Sequence, residues 1–307
     1  MQTGLFTHRA CSLHEMGSWH PERPERLAAI QDHLISTGLA PHLAYYDAPL
    51  ASIEALQRAH SADYIEHLQS SVPSNGYQAL DPDTSMNAHT LDAALRAAGA
   101  VVDATDRVID AQIANAFCAV RPPGHHARQS AAMGFCFFNS IAVGVRHALD
   151  VHGLQRVAII DFDVHHGNGT EEIFLNDERV LMASFFQHPF YPYSGTGNPA
   201  KNMVNVPLAA GTKGDVARKV VDDVWLPRLR EFQPQMIFIS AGFDAHREDD
   251  LGQMALVEAD YVYITERLME VAAEHAEGRI VSSLEGGYNL SALARSAGAH
   301  VKTLARL

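Results

Sequence analysis

VAIIDFDVHHGNGTEEIF, residues 157–174, opens on four apolar residues and then places two aspartates and two histidines within six positions. Val157 to Ile160 read as a buried strand, and Asp161, Asp163, His165 and His166 begin where that strand should end, at the carboxyl edge of a sheet. Asp163 and His165, two apart on an extended segment, point to one side and can grip one ion. A single residue of this kind is ordinarily a cap or a surface group. Four together beside an apolar strand cost several kcal/mol per unpaired charge, unless a cation or partner compensates.

Three further stretches point to the same edge. MIFISAGFDAHREDDLGQM, residues 236–254, runs an apolar strand into Ser240, Ala241 and Gly242, which admit close backbone approach, and then into Asp244. Asp, His and Asp thereby become available as a ligand set. It suits a catalytic Zn2+, with Fe2+, Co2+ and Mn2+ left open by donor type. LEGGYNLSAL, residues 284–293, ends a strand in Glu285 and sets Tyr288 beyond two glycines. That phenol can donate to a carbonyl oxygen or cap the last helix. RPPGHHARQSAAMGFCFFNS, residues 121–140, presents His125 and His126 side by side after a Pro-Pro-Gly turn.

Around these stretches, apolar runs alternate with segments of helical period, the pattern of an α/β protein with a largely parallel sheet of about eight strands. Strands are expected at GLFTHR near residue 4, and at 114–121, 156–163, 180–186, 203–208, 235–242 and 279–285. Helices are expected at 23–39, 89–109, 139–153, 215–232 and 259–276. In the second helix Leu91, Ala94, Leu95, Ala98, Val101 and Val102 recur at spacings of three and four and should face the sheet. The stretches 72–83 and 188–200 read as surface loops. No repeat or linker divides the 307 residues, so one domain over 1–307 is expected.

Composition excludes several function classes. The net charge of −13 and the lack of a Lys/Arg cluster argue against a nucleic-acid partner and favour cationic substrates. No apolar run approaches the roughly 18 to 20 residues that span a bilayer, and the start lacks the pattern of a signal peptide, so a soluble cytoplasmic protein is expected. Cys11, Cys118 and Cys136 show no CxxC spacing and read as free core or loop thiols of a reducing compartment. The 18 histidines stand out and direct attention to metal or acid/base chemistry. Self-association into a homo-oligomer stays open.

RPPGHHA, DFDVHHGNGT, AGFDAH and LEGGYN in that order, with HPERPERL at 20–27 and DPDTSMNAHT at 81–90, are similar to the histone deacetylase and acetylpolyamine amidohydrolase superfamily, over nearly the whole chain. The resemblance implies the arginase/deacetylase fold, a three-layer α/β/α arrangement. It is class II-like, through Glu285 and through Asn168 where class I members carry an aspartate, and the compact chain is like the bacterial amidohydrolases of the group. By the same resemblance Asp163, His165 and Asp244 hold one Zn2+, His125 and His126 face the attacking water, and Tyr288 polarises the amide. Asp161 orients His125 and Asn168 is the partner of His126, leaving it less basic than a carboxylate would.

Phe135 and Tyr191, with Gly134, Gly286 and Leu251, would line a channel for an extended lysine-like chain. Structural K+ is implied at Asp161, Asp163, His165, Ser184 and Phe185, and a second K+ at Phe174 and Val180. The activity implied is hydrolysis of acyl-lysine in a peptide or protein. An acylated polyamine or other small amide is the alternative substrate, and a catalytically inactive acyl-lysine binding protein is the reading from another class. Relatives that prefer polyamines can carry a glutamate before a GQM-like segment; Leu251 stands there and weakens that alternative without removing it, because Glu248, Asp249 and Asp250 are close. Arginases of the same fold bind two Mn2+, but this chain has no early GGxH and no second carboxylate set.

Overall fold

The computed structural model describes residues 1–197 and 200–307. In chain order its strands are β1 (Thr3–Thr7), β2 (Leu43–Asp47), β3 (Gln78–Asp81), β4 (Thr84–Met86), β5 (Asn115–Cys118), β6 (Val157–Asp161), β7 (Val180–Gln187), β8 (Met203–Leu208), β9 (Met236–Ala241) and β10 (Ile280–Leu284). Eight of them form one sheet in the order β2-β1-β5-β10-β9-β6-β7-β8, and each pairing in it is parallel. Every residue of β5, β6, β7, β9 and β10 is buried. A parallel sheet covered on both faces requires such apolar strands.

The helices are α1 (Glu25–Ser36), α2 (Ile53–Gln57), α3 (Ala62–Ser70), α4 (Thr90–Ile109), α5 (Ser140–Asp150), α6 (Asn168–Phe174), α7 (Gly214–Val220), α8 (Leu226–Phe232), α9 (Glu258–His275) and α10 (Leu290–Leu304). Strand register assigns them to two faces. Phe117 and Ser282 are register partners, and both meet His300 of α10. Phe238 lies in the next row, beside Val281, and approaches Gly144 of α5 so closely that a Cβ there would fall 3.1 Å from its ring. The α4/α5 pair thus covers one face, and α10, packed on α1 and α9, covers the other. Among the described residues no helix is long and apolar enough to cross a membrane.

The seven expected strands are present, with ends that differ by at most three residues and, for 203–208, not at all. The eighth is β2, whose burial alternates because it is an edge strand. Within the expected loop 72–83, residues 78–81 pair with 84–86 as an antiparallel ribbon. Of the expected loop 188–200, residues 198 and 199 lie outside the described residues. On α4 the buried face is rotated from the expected one. Ala94, Ala98 and Val101 are buried, Leu91, Leu95 and Val102 only half-buried, and Ala97, Ala104 and Val108 complete the face. Small side chains let α4 approach the sheet closely, which leaves its leucines at the margin. The expected helix 215–232 is α7 and α8 joined through a π-helical turn, Val221–Trp225. Pro227, at the start of α8, cannot donate to that turn, and the wider turn lets Trp225 stack on Phe185 with centroids 5.1 Å apart. Cys11, Cys118 and Cys136 are free and buried.

Candidate active site at the carboxyl edge of the sheet

Strand order explains why four distant stretches meet. β5, β10, β9 and β6 are consecutive neighbours in the sheet, so the loops leaving their carboxyl ends share one crevice, where open α/β sheets bind ligands. β6 delivers Asp161, Asp163 and His165; β9 delivers Asp244; β10 delivers Glu285, Gly286 and Tyr288; β5 delivers the segment 119–126.

Asp163, His165 and Asp244 converge. Each offers a ligand atom within 4.8 Å of the others, with His165 Nδ1 at 3.0 Å from Asp163 Oδ1 and 3.1 Å from Asp244 Oδ2. The second carboxylate oxygens are fixed from outside: Gly286 N–H donates to Asp163 Oδ2 at 2.9 Å and Val164 N–H to Asp244 Oδ1 at 2.9 Å. Asp161, Asp163, Asp244 and Glu285 are all buried, and among the described residues no Lys or Arg ion-pairs with any of them. This unbalanced charge distorts titration. Burial and the Asp163 charge push Asp244 up to about 7, and burial pushes Glu285 up to about 7. Burial opposes the charging of His165, yet hydrogen bonds to both aspartates raise it to about 10. A cation among these groups would resolve the imbalance.

The two adjacent histidines occupy different environments. His125 Nδ1 lies 2.9 Å from Asp161 Oδ2, and His126 Nδ1 lies 2.7 Å from Asn168 Oδ1. Burial disfavours charge on both. For His125 the Asp161 and Asp163 carboxylates outweigh burial and hold the imidazole well above its usual range. For His126, burial together with His125 and His165 holds it well below. Asn168 begins α6, and Gly124 N–H and His125 N–H both donate to Glu285 Oε2, at 2.6 and 3.1 Å. Glu285 therefore pins the backbone that carries the histidine pair.

A cavity of about 310 Å³ opens above these groups, and His126, Gly134, Phe135, His165, Tyr191, Leu251 and Tyr288 line it. Phe135 meets Tyr288 edge to face at 5.9 Å, and Tyr191 meets His126 at 5.3 Å. Gly134 has φ +55°, and a Cβ there would fall 2.4 Å from the His126 ring, so glycine is required on both counts. Gly286 lies at the base, against both Asp163 and Asp244, rather than along the cavity wall.

Sequence reasoning gave several contributors no place in the site. Asp83 and Asp250 also line the cavity, and Thr84 Oγ1 accepts from Phe135 N–H at 2.9 Å, tying the β3/β4 ribbon to the cavity wall. Asp249 accepts from Tyr288 N–H at 2.6 Å and Asn289 N–H at 2.9 Å. Below lies a fully buried charge cluster. Glu22 pairs with Arg26, Arg121 and His14, and Arg26 donates onward to the carbonyls of Glu285 and Gly287 beneath the Tyr288 ring. HPERPERL contained Glu22 and Arg26, but only the fold shows that they reach Tyr288.

The residues of the first implied potassium set lie at the paired ends of β6 and β7, where Asp161 is the register partner of Ser184. In the second, the carbonyls of Phe174 and Val180, joined by that of Asp177, converge on Asn202 Nδ2 at 2.8, 3.1 and 3.2 Å.

Comparison with known proteins gives one consistent result. A family model described as "Histone deacetylase domain" matches residues 20–304. A "Probable deacetylase" of Archaeoglobus fulgidus is 38% identical over 298 residues, covering 94% of this chain and 82% of that protein. A "Histone deacetylase-like amidohydrolase" of Pseudomonas aeruginosa is 37% identical over 312 residues, with 94% and 82% covered. The crystal structure of the HDA15 HD domain superposes with a TM-score of 0.94 at 34% identity, over 99% of this chain and 90% of that one.

Proposed function

Because the chain belongs to the histone deacetylase family, we propose that it is a zinc-dependent deacylase that hydrolyses the amide of N-acetyl-lysine-like or other N-acyl-lysine-like substrates. The observation that carries this reading is the convergence of Asp163, His165 and Asp244 beside the His125–His126 pair at the foot of an aromatic-walled cavity. The residues fit zinc in donor chemistry and in charge, since two buried carboxylates and one imidazole face each other and, among the described residues, no Lys or Arg is paired with them. Zinc bound by these three residues supplies a Lewis acid that lowers the pKa of a water molecule and polarises the acyl carbonyl.

The remaining chemistry belongs to the chain. His126 donates Nδ1–H to Asn168 Oδ1, which leaves Nε2 with its lone pair. It accepts the proton of the attacking water there and returns it to the departing amine. His125, paired to Asp161 at 2.9 Å, orients the water and stabilises negative charge. Tyr288 donates its phenol proton to the oxyanion as it forms. Phe135 and Tyr191 strip water from a methylene chain between them. Structural potassium suits the first set, Asp161, Asp163, His165, Ser184 and Phe185. For the second, the carbonyls of Phe174 and Val180 converge together with that of Asp177, a cluster of oxygens that suits the same ion.

An acylated polyamine is the second substrate reading, favoured by one observation: Asp83 and Asp250 put two carboxylates on the cavity wall, where a second ammonium group would be welcome. Acetyl-lysine peptides tested against N-acetylated polyamines, by kcat/KM on zinc-loaded protein, separate the two. Asp163→Ala, His165→Ala and Asp244→Ala should each lose the zinc ion of this cleft and, with it, activity. Undiminished zinc in all three folded variants would defeat the assignment.

A further inference from the structure

Far from this cleft, three side chains of two helices converge. Asp106 stands about one turn before the end of α4, His147 in the last turn of α5 and His152 two residues past its end. Asp106 Oδ1 lies 2.6 Å from His147 Nε2 and 2.6 Å from His152 Nε2. The two rings meet edge to face with centroids 5.2 Å apart, and the ligand-capable atoms lie within 4.8 Å of one another. His147 lies seven residues beyond Ser140, the first residue of α5, so at 1.5 Å per residue it stands about 10 Å along the axis from the start of that helix. No group of the catalytic cleft takes part.

We propose that Asp106, His147 and His152 form a second metal site, one for a borderline divalent ion such as Zn2+, which staples the ends of α4 and α5 together. Two imidazole nitrogens and one carboxylate oxygen are a donor set for such ions. The Asp106 side chain is 41% exposed, and water can complete the coordination. Among the described residues Asp106 has no guanidinium partner: the nearby Arg107 is engaged by Asp103 at 3.0 Å and Arg146 by Asp177 at 2.7 Å. Both helices also end here, so the negative ends of two helix dipoles face the same spot and favour a cation. His147 Nδ1 is buried without a partner, which leaves Nε2 as the only polar anchor of that ring.

Zinc bonds of about 2.0 to 2.2 Å set tetrahedral donors roughly 3.3 Å apart. Metal entry therefore requires the donors to spread by about 0.7 Å from 2.6 Å, which His152, beyond the helix end, can accommodate.

Equilibrium dialysis of the intact protein against micromolar Zn2+, followed by metal analysis, tests this. Asp106→Asn and His152→Gln should each bind one zinc ion fewer than the wild type, with the kcat/KM of zinc-loaded protein unchanged. Equal zinc counts in the wild type and both variants overturn the proposal. Added Zn2+ should also raise the Tm of wild-type protein more than that of His152→Gln, and identical shifts count against the site in the same way.

Discussion

Gly286→Ala offers a stringent test of the site, because the side chain it adds is a single methyl group. Gly286 does not lie in the left-handed region, so its backbone accepts alanine; the obstacle is space. A Cβ there would sit 2.1 Å from Asp244 Oδ2 and 2.6 Å from Asp163 Oδ2, where ordinary contact needs more than about 3 Å. One carboxylate must retreat by about an ångström, yet each is tied by its other oxygen, Asp244 to Val164 N–H and Asp163 to His165 N–H. Metal sites tolerate about ±0.2 Å in their bond lengths, and a displacement of about 1 Å near reacting groups costs on the order of 10²-fold in rate. The variant should therefore fold, bind zinc less tightly and lose at least about 10² in kcat/KM with zinc in excess. Gly197→Ala, where a Cβ meets nothing within 4 Å among the described residues, is the silent control. Zinc content and kcat/KM within a few-fold of wild type in Gly286→Ala would refute the geometry assigned to the two aspartates.

Tyr288→Phe keeps the ring that packs on Phe135 and removes only the donor, so kcat should fall on the order of 10² to 10³ with zinc content intact; near-normal kcat would reduce the phenol to a structural part. Asn168→Asp puts a carboxylate against His126 Nδ1, raises the pKa of that imidazole and should move the acid limb of kcat/KM to higher pH, whereas an unmoved limb speaks against His126 as the base. His300, buried and held down to about 3 from 6.5, stays neutral in the fold, so stability is unaffected above about pH 6.5 and falls as the unfolded chain takes up the proton below it. That loss is about 2 kcal/mol between pH 7.5 and 5. It should be missing from urea denaturation of His300→Gln, and equal pH dependence in both proteins would contradict it.

What was legible in the sequence was whatever a strand carries along its own length. β6, β9 and β10 announce themselves as short apolar runs that stop at a polar group, and those polar groups meet because their strands are neighbours. β2 was missed because LAYYD is half-exposed on an edge and lacks that apolar signature. The β3/β4 ribbon has three and four residues per strand and leans on Met16 and Phe135 from elsewhere in the chain. Glu285 looked like a marker and is a backbone clamp, a role visible only once Gly124 lies against it. Asp106, His147 and His152 were unreadable for a similar reason, since α4 and α5 must pack before positions 106 and 147 become adjacent.

The strand order bears on how the protein is made. β9 and β10 are the last strands in the chain, yet they lie between β5 and β6 at the centre of the sheet. A nascent chain on the ribosome that has emerged only to the end of β8 holds two separate half-sheets, β2-β1-β5 and β6-β7-β8, whose inner edges are open and apolar. Such edges invite wrong pairing. Translation pauses between Leu208 and Met236 should therefore make this chain dependent on holding chaperones, and Asp163 and His165 wait for Asp244 until the centre of the sheet closes.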